Sequence, residues 1–194
     1  MTTGSDILKR IKDEDIKYVD LRFTDPRGKL QHVTFDQTMV NEDLFEEGTM
    51  FDGSSIAGWK AINESDMVLM PDPDSAYLDP FFSASTLAIN CDILDPLTYQ
   101  PYSRDPRTTA KKAEKYVKEL GLGDSVYFGP EPEFFIFDDV KYSTSTYKVG
   151  FEVDSSELPS NTDTDYESGN SGHHIGLKKG YFPVPPLDSA QDIR

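Results

Sequence analysis

A two-residue alternation across residues 18–35, YVDLRFTDPRGKLQHVTF, limits the possible folds most strongly. Val19, Leu21 and Phe23 occupy every second position, and apolar residues alternate again after the turn-forming segment DPRG at 25–28. Successive side chains of a strand point to opposite faces, so the pattern predicts an antiparallel hairpin with one apolar face.

The neighbouring segments predict short elements that do not alternate regularly between strand and helix. Helical spacing of apolar residues over 5–12 predicts a short helix with Ser5 as its cap, and residues 41–47 predict another one, ended by Gly48. Strands are predicted at 67–70 and 87–93. The first part of the chain is therefore predicted to be a small mixed α+β unit.

A proline-rich segment without periodicity, DPLTYQPYSRDPR, is typical of a domain boundary. We place this boundary near residue 104, which gives domains 1–104 and 105–194. Asp105 and Pro106 are suited to open a helix. Its apolar stripe comprises Ala110, Ala113, Tyr116, Val117 and Leu120, and it ends at Gly121.

The rest of the chain predicts strands and a long polar loop. Strands are expected at 125–128, 133–140 and 147–153, and the polar loop at 155–172. Pro185, Pro186 and Asp188 resemble a helix start, yet the sequence stops at Arg194. We therefore expect a chain that is cut short.

Composition excludes several classes of function. Nineteen basic and thirty-five acidic residues give 19 − 35 = −16, the wrong sign for binding nucleic acid or an anionic membrane surface. No run approaches the roughly 18 apolar residues of a spanning helix. A single cysteine, Cys91, permits no internal disulfide and is expected to be inert inside a strand. We predict a cytoplasmic protein.

The segment GPEPEFFIFD at 129–138 carries the pattern most suggestive of chemistry. On a strand, Glu131, Glu133, Phe135 and Phe137 would share one face. Two carboxylates beside aromatic rings repel each other unless a cation lies between them, and Mg²⁺ or Mn²⁺ prefers such oxygen ligands. The spacing also suits an ordinary solvated strand edge, so by itself it leaves both interpretations open.

Three longer segments resemble signatures of bacterial type I glutamine synthetase, in family order and spacing. They are FDGSSIAGWKAINESDMVLMPD at 51–72, GPEPEFFIFD at 129–138 and GYFPVPPLDSAQDIR at 180–194. The resemblance covers essentially the whole chain. It implies an N-terminal β-grasp domain followed by the first part of a catalytic domain, whose curved antiparallel sheet holds two or three Mg²⁺ or Mn²⁺ ions.

The resemblance also implies roles for individual residues. Glu131 and Glu133 resemble metal ligands, one nearer the nucleotide phosphates and one nearer substrate glutamate. Asp52 resembles an aspartate that reaches into a neighbouring subunit's active site, binds ammonium and helps to remove its proton.

Three further residues extend the implied site. Ser55 lies in the same loop as Asp52, Tyr181 resembles a tyrosine of the ammonium pocket, and Asp66 resembles another acidic residue supplied across the subunit boundary. Adjacent His173 and His174 would point in different directions and make a poor chelate, so we expect surface residues there. Trp59 is expected either to pack this loop against a partner subunit or to lie in the core.

The implied activity is ATP-dependent ligation of ammonia to glutamate through γ-glutamyl phosphate, in a homo-oligomer of the family type, a dodecamer of two stacked hexameric rings. Because further family ligands would follow residue 194, the chain alone is expected to be inactive. Three alternatives stay open: a γ-glutamyl-amine ligase, a calcium-binding acidic module with its loop at 161–172, and a non-catalytic assembly or regulatory fragment.

Overall fold

The computed structural model describes residues 1–61, 64–167, 169, 172, 182–188 and 190–193. Their contacts divide the chain into two compact units, residues 1–127 and 128–194. The first unit contains a large mixed sheet and three α-helices, and the second contains a two-stranded hairpin followed by turns.

Two short helices of the first unit begin at side-chain caps. Helix α1 (Gly4–Asp13) is capped by Thr3, which forms a reciprocal capping box with Asp6, so the predicted cap Ser5 is wrong. The capping oxygen belongs one residue before the first helical turn, and the helix starts earlier than its apolar spacing indicates. Helix α2 (Glu42–Glu46) lies within the predicted range 41–47, and its cap is Asn41, whose side chain accepts from the amide of Leu44.

The sheet of the first unit mixes parallel and antiparallel pairs. Its strands are β1 (Tyr18–Thr24), β2 (Leu30–Asp36), β3 (Thr49–Asp52), β4 (Asp66–Pro71), β5 (Tyr77–Leu78) and β6 (Thr86–Leu94). Their order is β2-β1-β6-β4-β3, with β5 also on β6, and β1 runs parallel to β6 while the other pairs are antiparallel. The predicted hairpin and the mixed α+β character are confirmed.

The core lies on one face of this sheet. Val19, Leu21 and Phe23 of β1 form one buried cluster with alternate residues of β4 and β6. Ile7 and Ile11 of α1 complete the cluster, since they are one turn apart on the same helix face. Cys91 of β6 is buried in it, and burial raises the pKa of its thiol well above the ordinary range, which suits an inert residue.

Helix α3 (Pro106–Glu119) begins at Asp105 with Pro106 in its first turn, as predicted. Its predicted apolar stripe is not a core face, however. Only Thr108 of this helix is buried, while Tyr116 and the following Leu120 are exposed. Periodicity predicts the helix correctly, but it does not show whether a partner covers the apolar face.

The second unit contains strands β7 (Asp139–Ser145) and β8 (Lys148–Asp154), which pair antiparallel. Strand β8 matches the prediction for 147–153, whereas residues 125–128 form no strand and the predicted strand at 133–140 begins only at Asp139. Among the described residues after 127, no apolar side chain is buried. A lone hairpin has no second layer against which to bury a face, so strand patterning there is left without a core.

Among the described residues, no helix has both the length and the apolar content needed to cross a membrane.

Candidate functional site

Asp52 ends strand β3 and starts a single 3₁₀ turn over Gly53–Ser55. One carboxylate oxygen, Oδ1, accepts from the Ser54 amide at 2.8 Å and from the Ser54 hydroxyl at 2.6 Å. The second oxygen, Oδ2, accepts from the Ser55 hydroxyl at 3.5 Å. Because Asp52 is exposed, the turn fixes this carboxylate without burying it.

These hydrogen bonds define the charge state of Asp52. The Ser54 hydroxyl, followed by the Ser54 amide, lowers the pKa of the Asp52 carboxyl below its ordinary value. The group is therefore ionised at neutral pH and offers a fixed negative charge to solvent. Such a group can bind a small cation, and it is a weak base toward protons.

Asp66 lies directly opposite Asp52 in the antiparallel pair of β3 and β4. Side chains of directly opposed residues are on the same face, with Cβ atoms about 4.5–5.5 Å apart. Both residues are exposed. The register thus places two like charges side by side at this edge, which is unfavourable unless a cation or solvent screens them.

The turn after Asp52 is held close to the next strand. The Gly53 amide donates to the carbonyl of Ser65 at 2.7 Å. A Cβ atom on Gly53 would lie 2.5 Å from Cγ of Met67, so no larger residue fits without displacement. This close approach aligns the two acidic residues.

Trp59 is a core residue, with 4% of its surface exposed. Its ring packs on Phe23 and Phe51 at centroid distances of 5.6 and 6.0 Å. Of the two roles expected for Trp59, the core position is the observed one. The ring also fixes the loop that follows Asp52, since Phe51 directly precedes that residue.

Glu131 and Glu133 lie in a segment without regular secondary structure, between helix α3 and strand β7. Both are exposed, and so is Phe135, with 87% of its surface accessible. The expectation that these residues stand on a strand is therefore wrong for this chain. Pro130 and Pro132 have no amide hydrogens to donate to a neighbouring strand, which explains part of the difference.

The alternation of side chains in this segment does hold. The rings of Phe135 and Phe137 stack with centroids 6.1 Å apart and planes 13° apart, so residues two positions apart share a face. Carboxylate oxygens are the ligands that Mg²⁺ and Mn²⁺ prefer, and the donor chemistry of Glu131 and Glu133 fits such an ion. Among the described residues, no three acidic, histidine or cysteine side chains come close enough to hold a metal.

Other predicted residues differ in what the structure says of them. Tyr181, His173 and His174 lie outside the described residues.

In the loop predicted at 155–172, Asn161 donates through Nδ2 to Asp154 and to the Ser155 carbonyl, the latter at 2.9 Å. Its side chain thus fastens the loop to the end of β8.

Ser54 is a residue that the sequence analysis did not single out. Its two bonds to Asp52 set both the orientation and the pKa of that carboxylate. The signal is present in the sequence, because an aspartate followed two positions later by serine is a common side-chain-capped turn. Asp36 and Thr38 form the same arrangement elsewhere in the chain.

Two family models match most of the chain. The one described as the glutamine synthetase β-grasp domain matches residues 15–96, and the one described as the glutamine synthetase catalytic domain matches residues 103–194. The chain is 68% identical to glutamine synthetase of Bradyrhizobium diazoefficiens and 66% identical to that of Rhizobium meliloti. Each match covers 100% of this chain and 41% of the relative.

Solved structures agree with these matches. Glutamine synthetase of Plasmodium falciparum, determined by cryo-EM, superposes with a TM-score of 0.72 at 25% identity, covering 100% of this chain and 38% of that one. Ligand-free GmaS matches with a TM-score of 0.55 at 19% identity over 60% of this chain and 27% of its own, which shows a shared fold alone. The chain belongs to the glutamine synthetase family and corresponds to the N-terminal 41% of its bacterial relatives.

Proposed function

We propose that this chain is the N-terminal part of an enzyme that joins ammonia to glutamate at the expense of ATP, giving glutamine, ADP and phosphate. The family match over all 194 residues supports this function. We further propose a β-grasp domain at 1–104 and the start of the catalytic domain at 105–194, which agrees with the ranges of the two family models.

The opposed pair of Asp52 and Asp66 is the observation that carries the proposal in this structure. Two exposed carboxylates on neighbouring strands attract a small cation such as ammonium. Asp52, held ionised by Ser54, orients ammonium and accepts a proton from it; the ammonia so formed then attacks the acyl carbon of γ-glutamyl phosphate, and phosphate leaves. Ser55 and Tyr181 are proposed to complete the ammonium-binding set.

Glu131 and Glu133 are proposed to hold Mg²⁺ or Mn²⁺, of which the family uses two or three. A divalent ion bound there would neutralise phosphate charge during transfer of the γ-phosphate from ATP. The two glutamates would contribute negative oxygen ligands on an exposed segment. The remaining ligands must come from residues other than these two.

We also propose a subunit assembly, which the same arrangement supports. Asp52 and Asp66 face solvent, and within the described ranges no third ligand-type side chain joins them. We propose that they complete the active site of a neighbouring subunit in a dodecamer of two stacked hexameric rings. An acyl phosphate hydrolyses in water, so closing the site at a subunit contact protects the intermediate. The cytoplasm stays the predicted compartment.

The test compares glutamine formation by two proteins. One is the 194-residue chain, which we expect to be inactive, and the other is a chain of the relatives' full length with this N-terminal part. In the longer protein, Asp52→Asn should reduce turnover by at least about 100-fold, because a positioned base contributes roughly that much. Asp36→Asn is the matched control, since Asp36 forms the same turn with Thr38.

Three results would contradict the proposal. The longer protein could form no glutamine, the two substitutions could have equal effects, or the 194-residue chain could turn over on its own. A panel of amines in the same assay separates the γ-glutamyl-amine ligase alternative, which requires a preference for an alkylamine over ammonia. Mixing the 194-residue chain with the longer protein tests an assembly or regulatory role, which requires a change in activity.

A further inference from the structure

The loop over residues 53–60 is fastened by two side chains from the segment that precedes helix α3. The Tyr102 hydroxyl donates to the Trp59 carbonyl at 2.9 Å. Arg104 donates through Nη1 to the Gly58 carbonyl at 2.6 Å and to the Trp59 carbonyl at 3.3 Å. Two adjacent carbonyls of this loop are thus bound from outside it.

We propose that Tyr102 and Arg104 are positioning residues, which hold the 53–60 loop so that Asp52 and Ser55 are presented in one orientation. The inference rests on the proposed function, in which those two residues bind ammonium. Among the described residues, no hydrogen bond from either side chain reaches Asp52 or Ser55; both act through the backbone of the loop.

Tyr102 is well placed for this role because its own backbone is fixed at two points. Its amide donates to the carbonyl of Ile93 in β6 at 2.8 Å, and its carbonyl accepts from the amide of Asp105 at 3.1 Å. The hydroxyl therefore extends from a segment tied both to the central strand and to the start of α3. A loop that is hydrogen-bonded to such a fixed segment is restrained by it.

Packing of the Trp59 ring does not replace the hydrogen bonds to the loop carbonyls. It packs edge-on to the Tyr102 ring, with centroids 5.8 Å apart, in the aromatic cluster described above. Its buried Nε1 has no acceptor among the described residues, so the indole is held by packing and not by its own hydrogen bond. Packing is weakly directional, whereas bonds to the adjacent carbonyls fix the backbone.

Few backbone hydrogen bonds lie within the loop itself. Its internal backbone bonds run from Ile56 to Gly53 at 3.2 Å and from Trp59 to Ile56 at 3.1 Å. Gly58 adopts a φ of +88°. A glycine can also adopt many other backbone conformations, so this residue does not by itself hold the loop in one of them. Loss of the bonds from Tyr102 and Arg104 should therefore loosen the 53–60 loop before it affects the sheet.

The first experiment uses the 194-residue chain and needs no activity. Tyr102→Phe keeps the ring and removes the hydroxyl, and Arg104→Ala removes the guanidinium; the double variant removes both. Trp59 is the only tryptophan, so its quenching by acrylamide reports on this loop alone. Hydrogen exchange measured on peptides across 53–60 gives a second readout.

We expect exchange in the loop to rise roughly 2- to 10-fold for each single variant, the factor that matches one lost hydrogen bond, and more for the double variant. Tyr99→Phe and Arg27→Ala are matched controls, because both residues are exposed and, in the part of the chain that the structure describes, neither side chain hydrogen-bonds to the loop. Unchanged quenching and exchange in the double variant, at an unchanged urea midpoint, would overturn the proposal.

The second experiment uses the longer protein. Tyr102→Phe should raise KM for ammonium by roughly 2- to 10-fold with little change in KM for ATP, and Arg104→Lys should restore part of what Arg104→Ala loses. Equal changes in both KM values would indicate general loosening and overturn the proposal. If the longer protein forms no glutamine at all, the proposed function fails, while the exchange data still decide the positioning role.

Discussion

Replacement of Asp105 tests how the start of helix α3 is tied to the sheet. Asp105 is 0% exposed, and its side chain accepts hydrogen bonds from helix α3 and from strand β6. Within the helix, the donors are the Arg107 amide at 3.1 Å, the Thr108 amide at 3.1 Å and the Thr108 hydroxyl at 2.8 Å. From β6, the Ile93 amide donates at 3.4 Å.

Asp105→Ala removes the helix cap and leaves the buried Ile93 amide without its side-chain acceptor. Loss of a cap costs about 0.5–2 kcal/mol, and an unsatisfied buried donor costs about 1–3 kcal/mol. Since the amide bond is long, we take the lower part of the second range. The expected loss in free energy of unfolding is about 2–4 kcal/mol.

Urea unfolding followed by Trp59 fluorescence measures this loss. At a typical slope of about 2 kcal/mol/M, the midpoint should fall by about 1–2 M with the slope unchanged. Asp105→Asn keeps one acceptor oxygen and should lose less, while Asp36→Ala, which removes an exposed cap, is the control. A shift below about 0.25 M for Asp105→Ala would refute the reasoning.

Three further predictions concern the core and the acidic edge. Leu69→Ala should lower the free energy of unfolding by about 2–5 kcal/mol, whereas Leu30→Ala at an exposed strand position should change it little, as measured by urea unfolding. Ser54→Ala should raise the pKa of Asp52 toward its ordinary value, as followed by NMR titration of that carboxyl. The pKa of Asp52 is lower in the folded protein than in the unfolded one. The contribution of Asp52 to the free energy of unfolding is therefore fully present above the unfolded pKa and is lost as the pH falls through the folded pKa. In Ser54→Ala this pH-dependent loss should be smaller. Gly53→Ala should displace the turn and lower the urea midpoint, since its Cβ would meet the neighbouring strand; an unchanged midpoint would count against this close packing.

Local chemistry in the sequence predicts much of the first unit. The hairpin of β1 and β2, the helix near 41–47, the cap at Asp105, and the strands β4 and β6 all follow from alternation, helical spacing or capping residues. These features depend on neighbours within a few positions, so a single sequence contains the necessary signal. Strand β3 was not predicted, because its four residues are too few to show a period.

Burial is less predictable, because it depends on what lies across an interface. The apolar stripe of α3 and the aromatic residues of 134–137 show clear patterns, yet Tyr116 and Phe135 are exposed. The juxtaposition of Asp52 and Asp66 is likewise invisible in the sequence, since it depends on strand register. Resemblance to a family therefore identifies the candidate site residues, and the strand register then shows which of them lie side by side.

Strand β6 occupies the middle of the large sheet although it is the last of its strands along the chain. Its parallel partner β1 pairs Tyr18 with Thr86, across 86 − 18 = 68 positions. During synthesis, the β1–β2 hairpin and the β3–β4 hairpin are both made before β6. Until then neither hairpin has the strand that lies beside it in the sheet. Joining distant segments is slow because a long loop must close first. Translation pauses before residue 94 should therefore prolong the exposure of two unpaired edges to aggregation and chaperones.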